Sequence, residues 1–200
     1  MPDTIFLLSP ANLNGIRARQ LTSPRGNFPA AQAYRSPAGV PIGEAFAFMS
    51  ALYFRGKITY ALRFAAPPPS AEGGVFVIAP GFGLVPPDWT IDQSRMKRLR
   101  KTKVDPRVAG YKRPLVRDAR LLTTTLTDDT RVVLLGSIAT GKYVDVLWPI
   151  FGDRLLFPRS FVGIGDMSRG SMMLRAAASG EELEYATLDI ERHRKRERRP

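Results

Sequence analysis

The sequence predicts an α/β protein with a mostly parallel central sheet and helices on both faces of that sheet. Short apolar runs of strand length alternate along the chain with longer segments whose apolar residues have helical spacing. This alternation is typical of parallel sheets, because a helix carries the chain back to the start of the next strand. No internal repeat is present. We therefore expect one α/β domain over residues 1–190 and a basic tail over 191–200.

Strands are predicted where short aliphatic runs are bounded by turn-forming residues. They cover residues 5–8, 75–78, 132–135, 154–157 and 183–188. Residues 79–87 alternate glycine and proline with large apolar residues, which predicts an ordered loop after the second strand.

Helices are predicted from apolar spacing and capping residues, and in the longest of them also from the absence of proline. They cover residues 14–21, 44–66, 115–126, 143–150 and 166–178. In the longest helix, Leu62 is placed on the apolar side, Lys57 on the charged side, and Gly56 at a candidate bend. The proline-containing segment 22–42 is predicted to be a loop.

The composition limits the functions that the chain can have. It contains no cysteine, which excludes disulfides, thiolate metal sites and cysteine nucleophiles. The only histidine, His193, lies in the basic tail, which argues against a Ser-His-Asp triad and against a histidine zinc site. We predict no cofactor and no metal, and catalysis would rest on carboxylates, lysine or water.

The short apolar run near the N-terminus has no basic segment before it. No run approaches the roughly 20 apolar residues that span a bilayer. We therefore expect a cytoplasmic protein with no membrane partner.

The charge balance indicates a polyanionic partner. The formal net charge is +12 and the pI is about 10.6, which favours nucleic acid or a nucleotide as the partner. One cationic cluster spans residues 95–120 and a second spans 192–199. The tail alone is typical of a solvated chain end, but the first cluster keeps the domain basic without it.

The segment LLGSIATGKYVDVL, residues 134–147, resembles a phosphate-binding P-loop in its spacing. Gly136, Gly141 and Lys142 match that spacing, but Tyr143 stands where a P-loop needs Ser or Thr for its magnesium ion. Nucleotide hydrolysis is therefore not expected. Two interpretations stay open: an anion-binding turn with Ser137, Thr140 and Lys142 as donors, or a simple glycine-assisted turn.

Polar residues follow four predicted strands, and the carboxyl ends of parallel strands meet at one edge of a sheet. We therefore expect a basic cleft there. Ser9, Asn12, Asn14 and Arg17 follow the first strand, and the two asparagines fit either recognition of a base edge or helix capping. Phe82, beside Gly83, fits either base stacking or an apolar anchor.

Two carboxylates are candidates for catalysis. Asp166 lies in a polar loop with Ser168 and Arg169, and fits either a general base for N-glycosidic cleavage or a helix cap. Glu44 is the second candidate, although glutamate is also favoured in the first turn of a helix. Arg169 is a candidate phosphate ligand.

Three segments resemble a known family when they are taken in order. IFLLSPANLNGIRARQL, GEAFAFMSALYFRGKITYALRFA and GVFVIAPGFGLVPPDWTI cover residues 5–21, 43–65 and 74–91. Their order is similar to that of the YaaA family of peroxide-stress proteins and related bacterial domains. It is more distantly similar to the uracil-DNA-glycosylase-like domain of archaeosine synthase.

The resemblance implies an α/β fold with a basic cleft that binds nucleic acid and handles a nucleobase. Ser9 and Pro10 match the first family loop, and Gly83, Leu84 and Pro86 match the second. Asn12 stands where the family has lysine.

These observations lead to three functional hypotheses. The first is a nucleic-acid-binding protein whose cleft acts on or senses a nucleobase, with DNA favoured over RNA. The second is an enzyme that hydrolyses an N-glycosidic bond of a nucleoside or nucleotide. The third is a basic accessory or ribosome-associated protein.

Overall fold

A computed structural model describes residues 2–188. Its centre is a six-stranded sheet with the order β4-β3-β1-β6-β7-β8. The inner pairs β3–β1, β1–β6 and β6–β7 are parallel, and the edge strands β4 and β8 are antiparallel. The bounds are β1 Thr4–Leu8, β3 Val75–Ala79, β4 Gly83–Val85, β6 Arg131–Leu135, β7 Leu155–Pro158 and β8 Tyr185–Thr187. The predicted mostly parallel sheet is therefore confirmed.

β1 lies in the middle of the sheet because every one of its residues is apolar or small enough to be buried. All five are buried, and successive side chains point to opposite faces of the sheet. Phe6 and Leu8 enter one core, whereas Ile5 and Leu7 enter the other. A strand with no polar face can only be accommodated between two layers of helices.

Helices cover both faces of the sheet, as predicted. One layer contains α3 and α7, which pack against each other, together with α1; the other contains α5 and α6. The bounds are α1 Ile16–Leu21, α3 Ile42–Phe64, α5 Ala109–Thr123, α6 Val144–Phe151 and α7 Asp166–Ser179.

Five α-helices and β-strands within residues 2–188 were not predicted, and one of them, the edge strand β4, corrects the expectation of a loop throughout residues 79–87. A short helix α2, Pro29–Arg35, lies inside the segment that was expected to be a loop, and a helix α4, Gln93–Lys101, forms within the first cationic cluster. The strands β2, Val40–Pro41, and β5, Thr90–Ile91, pair as a separate two-stranded sheet. The prediction of an unbroken loop over 22–42 is therefore wrong, because proline at the first position of α2 is compatible with a helix start. The basic tail, 191–200, lies outside the described residues.

Three predictions for the long helix α3 are wrong, and a kink explains them. Ala51 has a non-helical backbone with φ +42° and ψ −117°, which changes the rotational phase of the residues that follow it. Leu62 is consequently 62% exposed, whereas Lys57 is fully buried. The bend lies at Ala51 and not at Gly56, which instead packs closely against α7.

Candidate functional site

The candidate site is a cleft of about 620 Å³ at the carboxyl ends of the parallel strands. The connections that follow β1 and β6 leave toward opposite helix layers, so these neighbouring strands form a topological switch point. Ligands of open α/β sheets bind in the crevice at such a point. All four loops that follow parallel strands contribute to the lining, through Ser9, Pro80, Ser137 and Asp166.

The predicted site residues divide into two groups. Six of them line the cleft: Ser9, Asn12, Asn14, Ser137, Lys142 and Asp166. The others lie outside this lining: Arg17, Glu44, Phe82, Gly83, Gly136, Thr140, Ser168 and Arg169. The predicted convergence of loops therefore brings together the polar residues of the first, third and fourth loops, but only Pro80 of the second.

The loop after β1 is held in place by its own polar groups. The Asn12 backbone N–H donates to Ser50 Oγ at 3.2 Å, and Asn12 Oδ1 accepts from the Asn14 N–H at 3.0 Å. Neither asparagine caps α1, whose N-cap residue is Gly15 with no side-chain cap. The helix-capping interpretation is wrong, and the Asn14 side chain is exposed in the cleft wall.

Phe82 is an anchor of its loop and not part of the cleft lining. Its ring packs against Trp89 with a centroid distance of 4.9 Å, and the Arg98 guanidinium lies 4.5 Å from its centroid. These contacts support the apolar-anchor interpretation. Gly83 begins β4 with φ +102°, and a side chain there would collide with the Asp118 carboxylate.

The P-loop-like segment forms one wall of the cleft. Tyr143 is buried in that wall, and Lys142 is exposed at the rim. The Asp145 carboxylate lies against Gly141, 2.5 Å from the position of an added Cβ. A carboxylate at this turn repels an anion, which weakens the phosphate-cradle interpretation.

Among residues 2–188, Asp166 is the only carboxylate that lines the cleft. It is the first residue of α7 and does not cap the helix, whose N-cap is Gly165. Its Oδ1 accepts from Arg169 Nη1 at 3.3 Å. Arg169 in turn donates to the Phe161 carbonyl at 2.9 and 3.2 Å. These hydrogen bonds hold its guanidinium against the segment that precedes α7, outside the cleft lining.

Glu44, the second candidate carboxylate, is exposed in the first turn of α3 and does not line the cleft. An N-glycosidic mechanism in this cleft would therefore depend on Asp166 alone.

Lys57 is the main feature of the site that sequence reasoning missed. The side chain is fully buried beneath the cleft, where Nζ lies 2.8 Å from both Ser9 Oγ and the Ser9 carbonyl oxygen. Nζ also lies 4.2 Å from the centroid of the Tyr53 ring. A sequence signal existed, because Lys57 lies four residues after Tyr53 and three before the buried Tyr60, on the same helix face.

The environment of Lys57 favours the neutral amine. Burial lowers the pKa of Lys57 from 10.5 to about 7; the Asp166 carboxylate opposes this shift, and the Arg169 guanidinium adds to it. No carboxylate forms an ion pair with Lys57 within the described part of the chain.

Two tyrosines complete the floor of the cleft. Burial raises the pKa of Tyr143 to about 12, Tyr53 and Asp166 add to the rise, and the Ser9 hydroxyl opposes it. Burial also raises the pKa of Tyr53, with a further contribution from Asp166 and an opposing one from Arg169. The buried Tyr53 hydroxyl makes no hydrogen bond of good geometry among residues 2–188, and Arg169 is the polar group that acts on it most closely. Both phenols are therefore neutral donors at ordinary pH.

Cations surround the mouth of the cleft. Lys101, Lys103 and Lys142 line it, and within the described part of the chain only Lys103 forms an ion pair, with Asp105 at 3.7 Å. Arg100 also lines the cleft, but its guanidinium donates to Leu13, Ala18 and Thr22 and so fixes the loop after β1 on α4. The exposed lysines thus remain available to an anion.

Residues 2–188 contain no cluster of His, Asp and Glu that could hold a metal ion. None of the helices in this part of the chain has the length and apolar character needed to span a bilayer. No protein-family model matches the chain, and no curated protein or solved structure matches it either. The resemblance to the YaaA family stays a prediction.

Proposed function

We propose that the protein binds nucleic acid, with a nucleotide of a single strand seated in the cleft at the β1–β6 switch point. The observation that carries this proposal is the pairing of a nucleotide-sized polar cleft with exposed lysines at its mouth. A volume of about 620 Å³ lies in the range of small-ligand sites. Phosphates would contact the lysines, and a base would contact the amide and hydroxyl groups below them.

The cationic surface extends beyond the cleft along α4 and α5. Lys101, at the end of α4, lines the cleft, while Arg98 on the same helix lines a neighbouring groove with Arg113 and Arg117 of α5. Arg113, Lys112 and Arg120 line the next depression on α5. A basic strip of this kind is suited to a phosphate backbone that continues past the bound nucleotide.

The proposal is tested with a fluorescent single-stranded DNA oligonucleotide, whose affinity is measured by anisotropy over a range of salt concentrations. A rim variant carries Lys101→Ala, Lys103→Ala and Lys142→Ala. Each lost phosphate contact lowers the slope of log affinity against log salt by about 0.7 for a single strand. We therefore expect weaker binding and a slope reduced by about 2. A matching RNA oligonucleotide tests the preference for DNA.

The control variant carries Arg25→Ala, Arg55→Ala and Arg175→Ala, three exposed cations that do not line the cleft. It removes the same net charge and should keep most of the affinity and the slope. Equal losses in both variants, or binding that disappears only when residues 191–200 are deleted, would show that the cleft is not the binding site.

A further inference from the structure

We infer that Ser9 and Lys57 form a serine–lysine pair that cleaves carboxylic esters of phosphate-bearing molecules in the cleft. The inference goes beyond nucleic-acid binding and rests on the contact between two side chains. Lys57 Nζ lies 2.8 Å from Ser9 Oγ, within the range for a nucleophile and its base. Lysine can serve as the base of a nucleophilic serine in place of histidine.

The hydrogen bonds around Lys57 suit a neutral amine. A neutral amine has two N–H donors and one lone pair. One N–H can donate to the Ser9 carbonyl oxygen at 2.8 Å, which leaves the lone pair free to accept the Ser9 hydroxyl proton. Because burial holds the pKa of Lys57 near 7, a large fraction of the amine is unprotonated at neutral pH.

Ser9 is positioned between its base and the cleft. It follows β1 directly, its backbone N–H donates to the Leu135 carbonyl at 3.1 Å, and it is a lining residue of the cleft with 5% of its surface exposed. Gly136 packs against it so closely that an added Cβ would lie 2.9 Å from Ser9 Cβ. The two neighbouring strands thus fix the hydroxyl at the floor of the cleft, with Lys57 behind it.

The same floor offers hydrogen-bond donors for a developing negative charge. Tyr53 lines the cleft, and its buried hydroxyl makes no hydrogen bond of good geometry among the described residues, although Arg169 lies close enough to oppose the rise in its pKa. Tyr143 lines the cleft beside Ser9, and its raised pKa keeps it protonated. A phenol that donates to the oxygen of a tetrahedral intermediate stabilises the transition state.

The reaction balances with water as the only co-reactant. Ser9 Oγ bonds to the acyl carbon as its proton passes to Lys57 Nζ. The ammonium then protonates the departing oxygen, so an alcohol leaves and acyl-Ser9 remains. Water attacks this ester and gives a proton to Lys57. Collapse of the intermediate returns that proton to Ser9 Oγ and releases the carboxylic acid.

The cations at the mouth define the class of substrate. Lys101 and Lys142 line the cleft that contains Ser9, so they would hold a phosphate on either part of the ester. An uncharged ester would lack this contact and should react more slowly.

The pair is tested by treating the full-length protein with a small alkyl fluorophosphonate, followed by intact-mass measurement and peptide mapping. We expect a single adduct on Ser9 and none on Ser50, which lines the same cleft but whose Oγ accepts from the Asn12 N–H at 3.2 Å. The labelling rate should rise about tenfold per pH unit below pH 7 and level off above it. Ser9→Ala should abolish labelling, and Lys57→Met should slow it at least 100-fold.

Ser94→Ala is the matched control, because Ser94 is exposed outside the cleft; it should label at the wild-type rate. Thermal melts establish that each variant folds. No adduct on wild-type Ser9, or equal rates for the wild type and Lys57→Met, overturns the inference. Covalent labelling is independent of oligonucleotide binding, so failure here leaves the proposed binding function untouched, and the reverse also holds.

Discussion

Lys57 shows how one residue can set the chemical character of the whole site. Its ammonium form would be buried without an ion pair in the described chain, facing Tyr53 of its own helix and the charges of Asp166 and Arg169 on α7. Removing a charge from water is costly unless it is paired. The structure accommodates this side chain by favouring its neutral form.

This burial predicts an unusual pH dependence of stability. The pKa of Lys57 is about 7 in the folded protein and 10.5 in a free side chain, so between these values the unfolded state binds the extra proton. The loss of folding stability caused by burying Lys57 is therefore complete below pH 7 and decreases as the pH rises toward 10.5. Wild-type protein should gain stability over this interval relative to Lys57→Met, by at most about 1.4 kcal/mol per pH unit.

Urea unfolding at pH 6, 8 and 9.5 measures this difference. Subtracting the Lys57→Met values cancels the titration of the other groups, provided that their surroundings are unchanged. Parallel stability curves for the two proteins would mean that Lys57 keeps its ordinary pKa in the folded protein. Its amine would then be charged at neutral pH and could not act as a base.

At the level of elements, the close crossing of α3 and α7 holds the site together. An added Cβ on Gly56 would lie 2.6 Å from the Gly170 carbonyl oxygen, and one on Gly170 would lie 2.7 Å from the Leu52 carbonyl oxygen. The two backbones therefore approach where only glycine fits. Lys57 follows one of these glycines and Arg169 precedes the other, so the crossing also sets the distance between them.

Gly170→Ala should push the two helices apart and destabilise the protein by about 1–3 kcal/mol, as overpacking does in other cores. The control is Gly110→Ala, also in a helix, where an added Cβ meets nothing within 4 Å. That change should be neutral or stabilise the protein by up to about 1 kcal/mol. Chemical denaturation measures both, and equal effects would contradict the close-packing argument.

The strands and the long helix α3 differ in how well the sequence predicts them. Four runs of mostly buried apolar residues predicted β1, β3, β6 and β7, because strands without a polar face have a strong signal, whereas the partly exposed β8 was predicted from the weaker pattern over 183–188. The kink at Ala51 had no such signal, since an alanine with positive φ is unfavourable locally and persists only through its surroundings. Because the helical phase changes there, the apolar spacing over the whole of α3 placed Lys57 with the charged residues, although its spacing from Tyr53 and Tyr60 alone indicated the buried face.

For the molecule as a whole, topology was the more dependable guide to the site. The expectation that loops after parallel strands meet at one edge placed Ser9, Asn12, Ser137 and Asp166 in one cleft. Single-residue expectations were weaker, because Phe82 has partners inside the protein that the sequence does not reveal. Contacts between distant segments, such as Lys57 with Ser9, require the assembled fold.

The loops after the parallel strands should form one binding surface for nucleic acid, which amide hydrogen exchange with and without a saturating single-stranded DNA oligonucleotide can detect. We predict slower exchange in three separate segments, residues 11–14, 99–104 and 137–143, with little change in the α2 segment, 29–35. Protection confined to 191–200, or spread without preference over segments remote from the cleft, would contradict the account.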